Sequence, residues 1–191
     1  MLRSVFGKTI WDRRLSILWW GLGTAAMSAV LVAFYPTLRD NPAIEEFLGQ
    51  IPEEFLAAFG IDPALYSTGY GFLQGQLYSF MAPVIVIALA IGLGASATAG
   101  EEEAGTMDQL LSLPIARGRL VAEKLLAMAV LLVVVLLALA AVLVGGNALV
   151  GLGLSPRGIL GINVGLLLLG LFFGTFAAAV GVWRGRTAVA Q

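Results

Sequence analysis

Two residue types are missing from the chain altogether, cysteine and histidine. Without cysteine there is no disulfide and no thiolate, so redox compartment stays undetermined. Without histidine there is no imidazole metal ligand and no His-based general acid or base. Charge is scarce as well. Only 12% of the 191 residues are Asp, Glu, Lys or Arg, whereas 59% are hydrophobic, and a soluble domain usually carries roughly 25% charged residues. With a mean hydropathy of +0.93, this composition describes an integral membrane protein.

Four apolar runs are long enough to cross a hydrocarbon core of ~30 Å, which takes about 20 residues at ~1.5 Å each. They are placed at 15–35, 77–99, 125–144 and 159–182, and none contains a charged residue. In lipid every backbone N–H and C=O must be satisfied within its own segment, so the runs are helical. The fold class expected is an all-α polytopic bundle of four transmembrane helices. Single-chain organisation follows: one transmembrane domain over 1–191, with loops at 36–76, 100–124 and 145–158 and a short end at 183–191.

Positive residues are retained on the cytoplasmic side of a membrane. Arg3, Lys8, Arg13, Arg14, Arg117, Arg119, Lys124, Arg184 and Arg186 fall on one side of the four-span arrangement, and only Arg39 and Arg157 on the other. Nine against two places both termini and the 100–124 loop inside the cell, and the acidic 36–76 loop outside. Within residues 1–14, Leu2, Val5, Phe6 and Ile10 recur at helical spacing opposite Arg3 and Lys8, with Trp11 at the membrane entry. A short interfacial amphipathic helix is expected there, the alternative being a basic flank that only orients the first span. Outside, Ile44–Leu48 and Ile51–Leu56 read as two short helices broken by Gly49, Pro52 and Gly60. Their paired glutamates are expected on solvated helix faces, with no catalytic role.

In the fourth run, Gly161 and Gly165 form one G-x-x-x-G and Gly170 and Gly174 another, permitting close helix approach within the chain or with another chain. Asn163 in the same run is expected to form an interhelical hydrogen bond.

The loop at 100–124, expected on the cytoplasmic side, is a second charged island between apolar runs, and it carries both signs. Thr106 followed by Gln109 is a capping-box pattern that starts a helix at Met107, with Asp108 in the first turn where the helix dipole favours an anion. Met107, Leu110 and Leu111 then share one face, and Pro114 disfavours helix at the residue before it. Such an amphipathic helix either rests on lipid or is held by a soluble partner. Glu101, Glu102 and Glu103 are consecutive and point in three directions on a helix, so they make no metal site.

The string AGEEEAGTMDQLLSLPIARGRLVAEKLLA, residues 99–127, closely resembles the cytoplasmic segment of ABC-2 type transporter permeases. The family pattern is a small residue, acidic residues, Gly-Thr, a double-Leu helix, Pro, a basic residue and a Lys entering the third span. Here those places are held by Gly100, Glu101, Glu102, Gly105, Thr106, Leu110, Leu111, Pro114, Arg117 and Lys124. The resemblance implies that this is a coupling helix docking into a groove of a cytoplasmic ABC ATPase dimer, with a second permease copy or a homologous permease alongside. ATP and Mg²⁺ would then reside on the ATPase, with no cofactor bound directly. The order of elements around LYSFMAPVIVIALAIG, residues 77–92, is also similar, and resembles most the drug or polyketide-antibiotic export branch. Such permeases normally have six spans, so a form lacking the last two is expected.

The phosphate-loop pattern Gly-x-x-x-x-Gly-Lys-Ser/Thr is absent, so the chain is expected to be a transport component and not itself an enzyme. An intramembrane enzyme would need a nucleophile with a base or a metal at depth, and the four runs contain no Lys, His, Asp or Glu. The expected function is a permease subunit that exports a hydrophobic or amphipathic small molecule across the cell membrane. The alternative is a non-conducting scaffold or regulatory subunit that anchors an ATPase, or an inactive truncated permease. Nothing in the sequence points to nucleic acid.

Overall fold

A computed structural model describes residues 5–39, 41–103 and 117–188; at 45, 97–103, 117 and 182–188 it describes backbone alone. The elements in chain order are α1 (Val5–Arg39), α2 (Pro42–Gly49), α3 (Glu53–Ala58), α4 (Gly69–Leu73), a π-helical segment (Gln74–Met81), α5 (Ala82–Glu103), α6 (Arg117–Val150) and α7 (Pro156–Ala188). Among the described residues four helical stretches are long and apolar enough to cross a membrane: Val5–Arg39, Gly69–Ser96, Gly118–Val150 and Pro156–Gly181. The chain is a multi-pass helical membrane protein.

The helices are longer than the apolar runs that seed them. The 35 residues of α1 extend about 50 Å at ~1.5 Å each, well beyond a hydrocarbon core of ~30 Å. One expectation is corrected here. No separate helix ends near residue 14; Val5–Arg39 is continuous. The physical reason is local, since residues 8–20 contain neither Gly nor Pro and nothing interrupts the hydrogen-bond ladder. Likewise α6 runs on to Val150 and α7 begins at Pro156, which reduces the expected 145–158 loop to a tight turn.

By contacts the chain divides into two units. The first comprises 1–20, 86–135 and 167–191. Its core is a stripe on α6, Ala127, Met128, Leu131, Leu132 and Val135, with Val86, Leu89, Ala90 and Leu93 of α5. The helices meet at glycines. A Cβ at Gly94 would collide with the backbone carbonyl of Gly174, and one at Gly170 would lie 2.8 Å from Val86 and 3.2 Å from Leu132. Lipid tails are as apolar as leucine, so such contacts hold helices by close van der Waals packing.

The second unit comprises 21–85 and 136–166. Asn41 caps α2, accepting from the Ala43 N–H at 3.1 Å with Pro42 at the first helical position. The α3 helix ends in a Schellman arrangement: Ile61 N–H donates to Leu56 C=O at 2.9 Å and Gly60 N–H to Ala57 C=O at 3.0 Å, with Gly60 at φ +67°. Leu48 and Leu56 are buried while Phe47, Phe55 and Phe59 are exposed. The α6–α7 turn is closed by polar contacts. Asn147 Nδ2 donates to Leu154 C=O at 3.1 Å, and its Oδ1 accepts from Leu154 N–H at 3.0 Å. Gly151 and Gly153, both at φ +68°, supply the left-handed backbone the turn requires. Ser155 Oγ then caps α7 by accepting from Gly158 N–H at 3.0 Å.

Candidate functional site

The expected coupling segment begins and ends on described helices of the first unit. Gly100, Glu101 and Glu102 occupy the last turn of α5, which closes at Glu103, and Arg117 opens α6. Gly105, Thr106, Met107, Leu110, Leu111 and Pro114 lie outside the described residues. The island is thus carried between two long helices, one leading into it and one leading away, in the same unit.

Sequence reasoning overlooked the residue that ties this region together. Glu123, in the second turn of α6, accepts from two directions: Arg119 Nε donates to its Oε1 at 3.0 Å, and the Phe6 backbone N–H donates to its Oε2 at 3.2 Å. The first N–H groups of a helix have no partner within the helix, and a carboxylate there also meets the positive end of the helix dipole. Glu123 therefore anchors the start of α1 to the start of α6. The i, i+4 spacing of Arg119 and Glu123 was readable; the bond to Phe6, 117 positions away, was not. Beside it, Lys124 is only 8% exposed, consistent with a long aliphatic stem packed along the helix. On α1, Arg14 stacks over Trp11 with its guanidinium carbon 3.8 Å from the ring centroid and donates to the Trp11 carbonyl at 2.8 Å.

The four glycines singled out on α7 separate. Gly170 and Gly174 face side chains of α5 and α6, Met128 and Leu132 among them, whereas Gly161 and Gly165 have no heavy atom within 4 Å of where a Cβ would stand. Asn163 does not make the interhelical bond expected of it: its Nδ2 donates to Ile159 C=O of its own helix at 2.8 Å, and its Oδ1 has no partner among the described residues. An amide four residues after a carbonyl finds that acceptor without reaching another helix. Nor is Asn163 alone, because the longer helices also take in Gln74, Gln76 and Asn147.

No match was found among curated proteins or among solved structures. The profile of one family, described as ABC-2 family transporter protein, matches residues 11–187. That range takes in most of every long helix, from the second turn of α1 to the last turn of α7, and the charged segment between α5 and α6. The chain therefore belongs to the ABC-2 family of transporter proteins.

Proposed function

We propose that the chain is the membrane permease subunit of an ATP-binding cassette exporter, powered by a separate cytoplasmic ATPase dimer that binds ATP and Mg²⁺. The observation that carries this reading is the family match over 11–187; the resemblance of the segment from Gly100 to Lys124 to the coupling segment of such permeases supports it. Met107, Leu110 and Leu111 fill a groove on the ATPase; Arg117 lies at the rim. The excess of Lys and Arg around that segment and at both ends of the chain supports a cytoplasmic placement of all three in the cell membrane. A second permease copy or a homologous permease completes the translocation path. The cargo is a hydrophobic or amphipathic small molecule, as in the drug or polyketide-antibiotic branch, because the apolar runs 15–35, 77–99, 125–144 and 159–182 contain no Asp, Glu, Lys or Arg to receive an ion.

The test is co-purification with the ATPase and substrate-stimulated ATP hydrolysis. Leu110→Glu places an unpaired carboxylate in a desolvated contact, a loss of about 3 kcal/mol or more. Recovery of the complex and stimulation should both collapse while membrane insertion stays normal. Arg117→Ala should mainly alter salt sensitivity. Full recovery and stimulation in Leu110→Glu would remove the coupling assignment. An intact complex with no stimulation by any cargo would favour a scaffold role.

A further inference from the structure

A cavity of about 280 Å³ lies within the second unit, where the α6–α7 turn faces the stretch from Tyr70 to Tyr78. At ~30 Å³ per water this is the volume of roughly nine waters, near the lower end of small-molecule sites, which run from ~300 Å³. Most of its wall is aliphatic, with Leu73, Leu143, Ile159 and Ile162 contributing. No Asp, Glu, Lys or Arg lines it, so nothing there compensates a charged ligand.

The polar groups in the wall are few and underused. Of the two glutamines in the π-helical segment, Gln76 donates to the Tyr66 hydroxyl at 2.8 Å, while the Gln74 amide makes no hydrogen bond among the described residues. Tyr78, one turn further on, has a hydroxyl shielded from solvent and without a partner among the described residues. Ser155 accepts from Gly158 N–H and keeps its own O–H to donate. A buried polar group without a partner is uncommon in folded proteins and calls for a physical explanation. The backbone adds a second observation. Gln74–Met81 is wound as a π-helix, its exit marked by Ala82 N–H donating to Leu77 C=O five residues back. This winding is rare and is found mostly where a site needs it. Here it sets Gln74 and Tyr78 on one wall of the cavity.

We propose that this cavity binds a neutral amphipath, an aliphatic body ending in a hydroxyl or amide that hydrogen-bonds the Gln74 amide and the Tyr78 hydroxyl. The aliphatic part occupies the Leu73–Leu143–Ile162 wall. A primary alcohol or amide both donates and accepts, as Gln74 does, so the pairing is mutual. The same chemistry is presented by a single-chain fatty alcohol or amide dissolved in the bilayer and by a short water-soluble alcohol or amide, and both are of a size that about 280 Å³ can hold in whole or in part.

The protein, reconstituted in phosphatidylcholine nanodiscs, is irradiated with a diazirine-bearing octanol, and adducts are mapped by mass spectrometry. Diazirine-bearing octane and octanoate serve as controls. Octanol adducts should concentrate on residues 70–78 and 153–162, with octanoate labelling there weak. Gln74→Leu should lower octanol labelling roughly three- to tenfold, the loss of one hydrogen bond, without lowering octane labelling. Ile162→Trp, which fills the space, should abolish both. Competition by octadecanol, which stays in the disc, identifies a membrane source, and competition by butyramide added to the buffer, which partitions weakly into lipid, identifies a soluble one. Equal labelling by octane and octanol would overturn the proposal, as would octanol labelling unchanged in Gln74→Leu, a variant whose folding is checked by its helical content.

Discussion

In the first unit helices meet at glycines, and the contact is backbone against backbone, as at Gly94 and Gly174. The second has such an approach too, at Gly69 against the Leu152 carbonyl, but adds polar joints: the α6–α7 turn is held by an amide, through Asn147, and Tyr35 donates its hydroxyl to the Ser67 carbonyl at 3.2 Å. The buried polar atoms without a partner among the described residues, on Thr24, Tyr78 and Asn163, all fall in the second unit. Glycine contacts tolerate no added atom but leave no polar group to satisfy. Hydrogen-bonded joints tolerate small changes of shape and depend on every partner being present. The first unit carries the segment proposed to receive mechanical force, and the second carries the cavity.

The largest effect is expected at Gly94. Gly94→Ala introduces the very atom that would collide with the Gly174 carbonyl, and overpacking against backbone should cost about 3 kcal/mol. Gly161→Ala, in a helix and on a face with no neighbour within 4 Å, should not destabilise the protein and should stabilise it by up to about 1 kcal/mol. Thermal unfolding of the two variants in the same detergent checks the pair; equal effects would erase the distinction. Next comes Asn147→Ala, which removes both bonds to Leu154 and leaves its backbone groups unpaired, for a loss of about 2 kcal/mol. Faster hydrogen exchange at residues 151–155 should accompany it.

Thr24→Val has the opposite sign. Thr24 is 5% exposed and its Oγ1 has no partner among the described residues, so an isosteric apolar side chain should stabilise the protein by about 1 kcal/mol. Any destabilisation would mean that the hydroxyl is satisfied in the membrane. The smallest expected change is Glu123→Ala. Its two hydrogen bonds tie the start of α1, so protease protection of residues 5–10 should fall while the global unfolding midpoint holds.

Helix identity was legible from composition alone, because about 20 apolar residues without charge have no other stable form in lipid. Helix ends were not. Hydropathy falls off at Gly145 and Gly146, yet the α6 ladder continues through Asn147 to Val150, since glycine lowers apolarity without breaking a helix. The two short helices α2 and α3 fall close to Ile44–Leu48 and Ile51–Leu56, because Gly49, Pro52 and Gly60 are punctuation with a steric mechanism, but α2 starts two residues earlier, at Pro42 behind the Asn41 cap, and α3 is shifted two residues on, starting after Pro52. The π-helical winding that starts at Gln74 carries no compositional signal. Glu123 was missed for a similar reason, as its second partner is a backbone N–H, which every residue but proline possesses.

The central claim is that Met107, Leu110 and Leu111 are held by an ABC ATPase. Because the chain has no native cysteine, Leu110→Cys gives a single attachment point for a thiol-reactive benzophenone. Irradiated in membranes that contain the transporter complex, this site should form one dominant adduct whose partner peptides come from an ATPase bearing the Gly-x-x-x-x-Gly-Lys-Ser/Thr loop, and ATP should alter its yield. Adducts with lipid alone, obtained while the ATPase is present and active, would contradict the account.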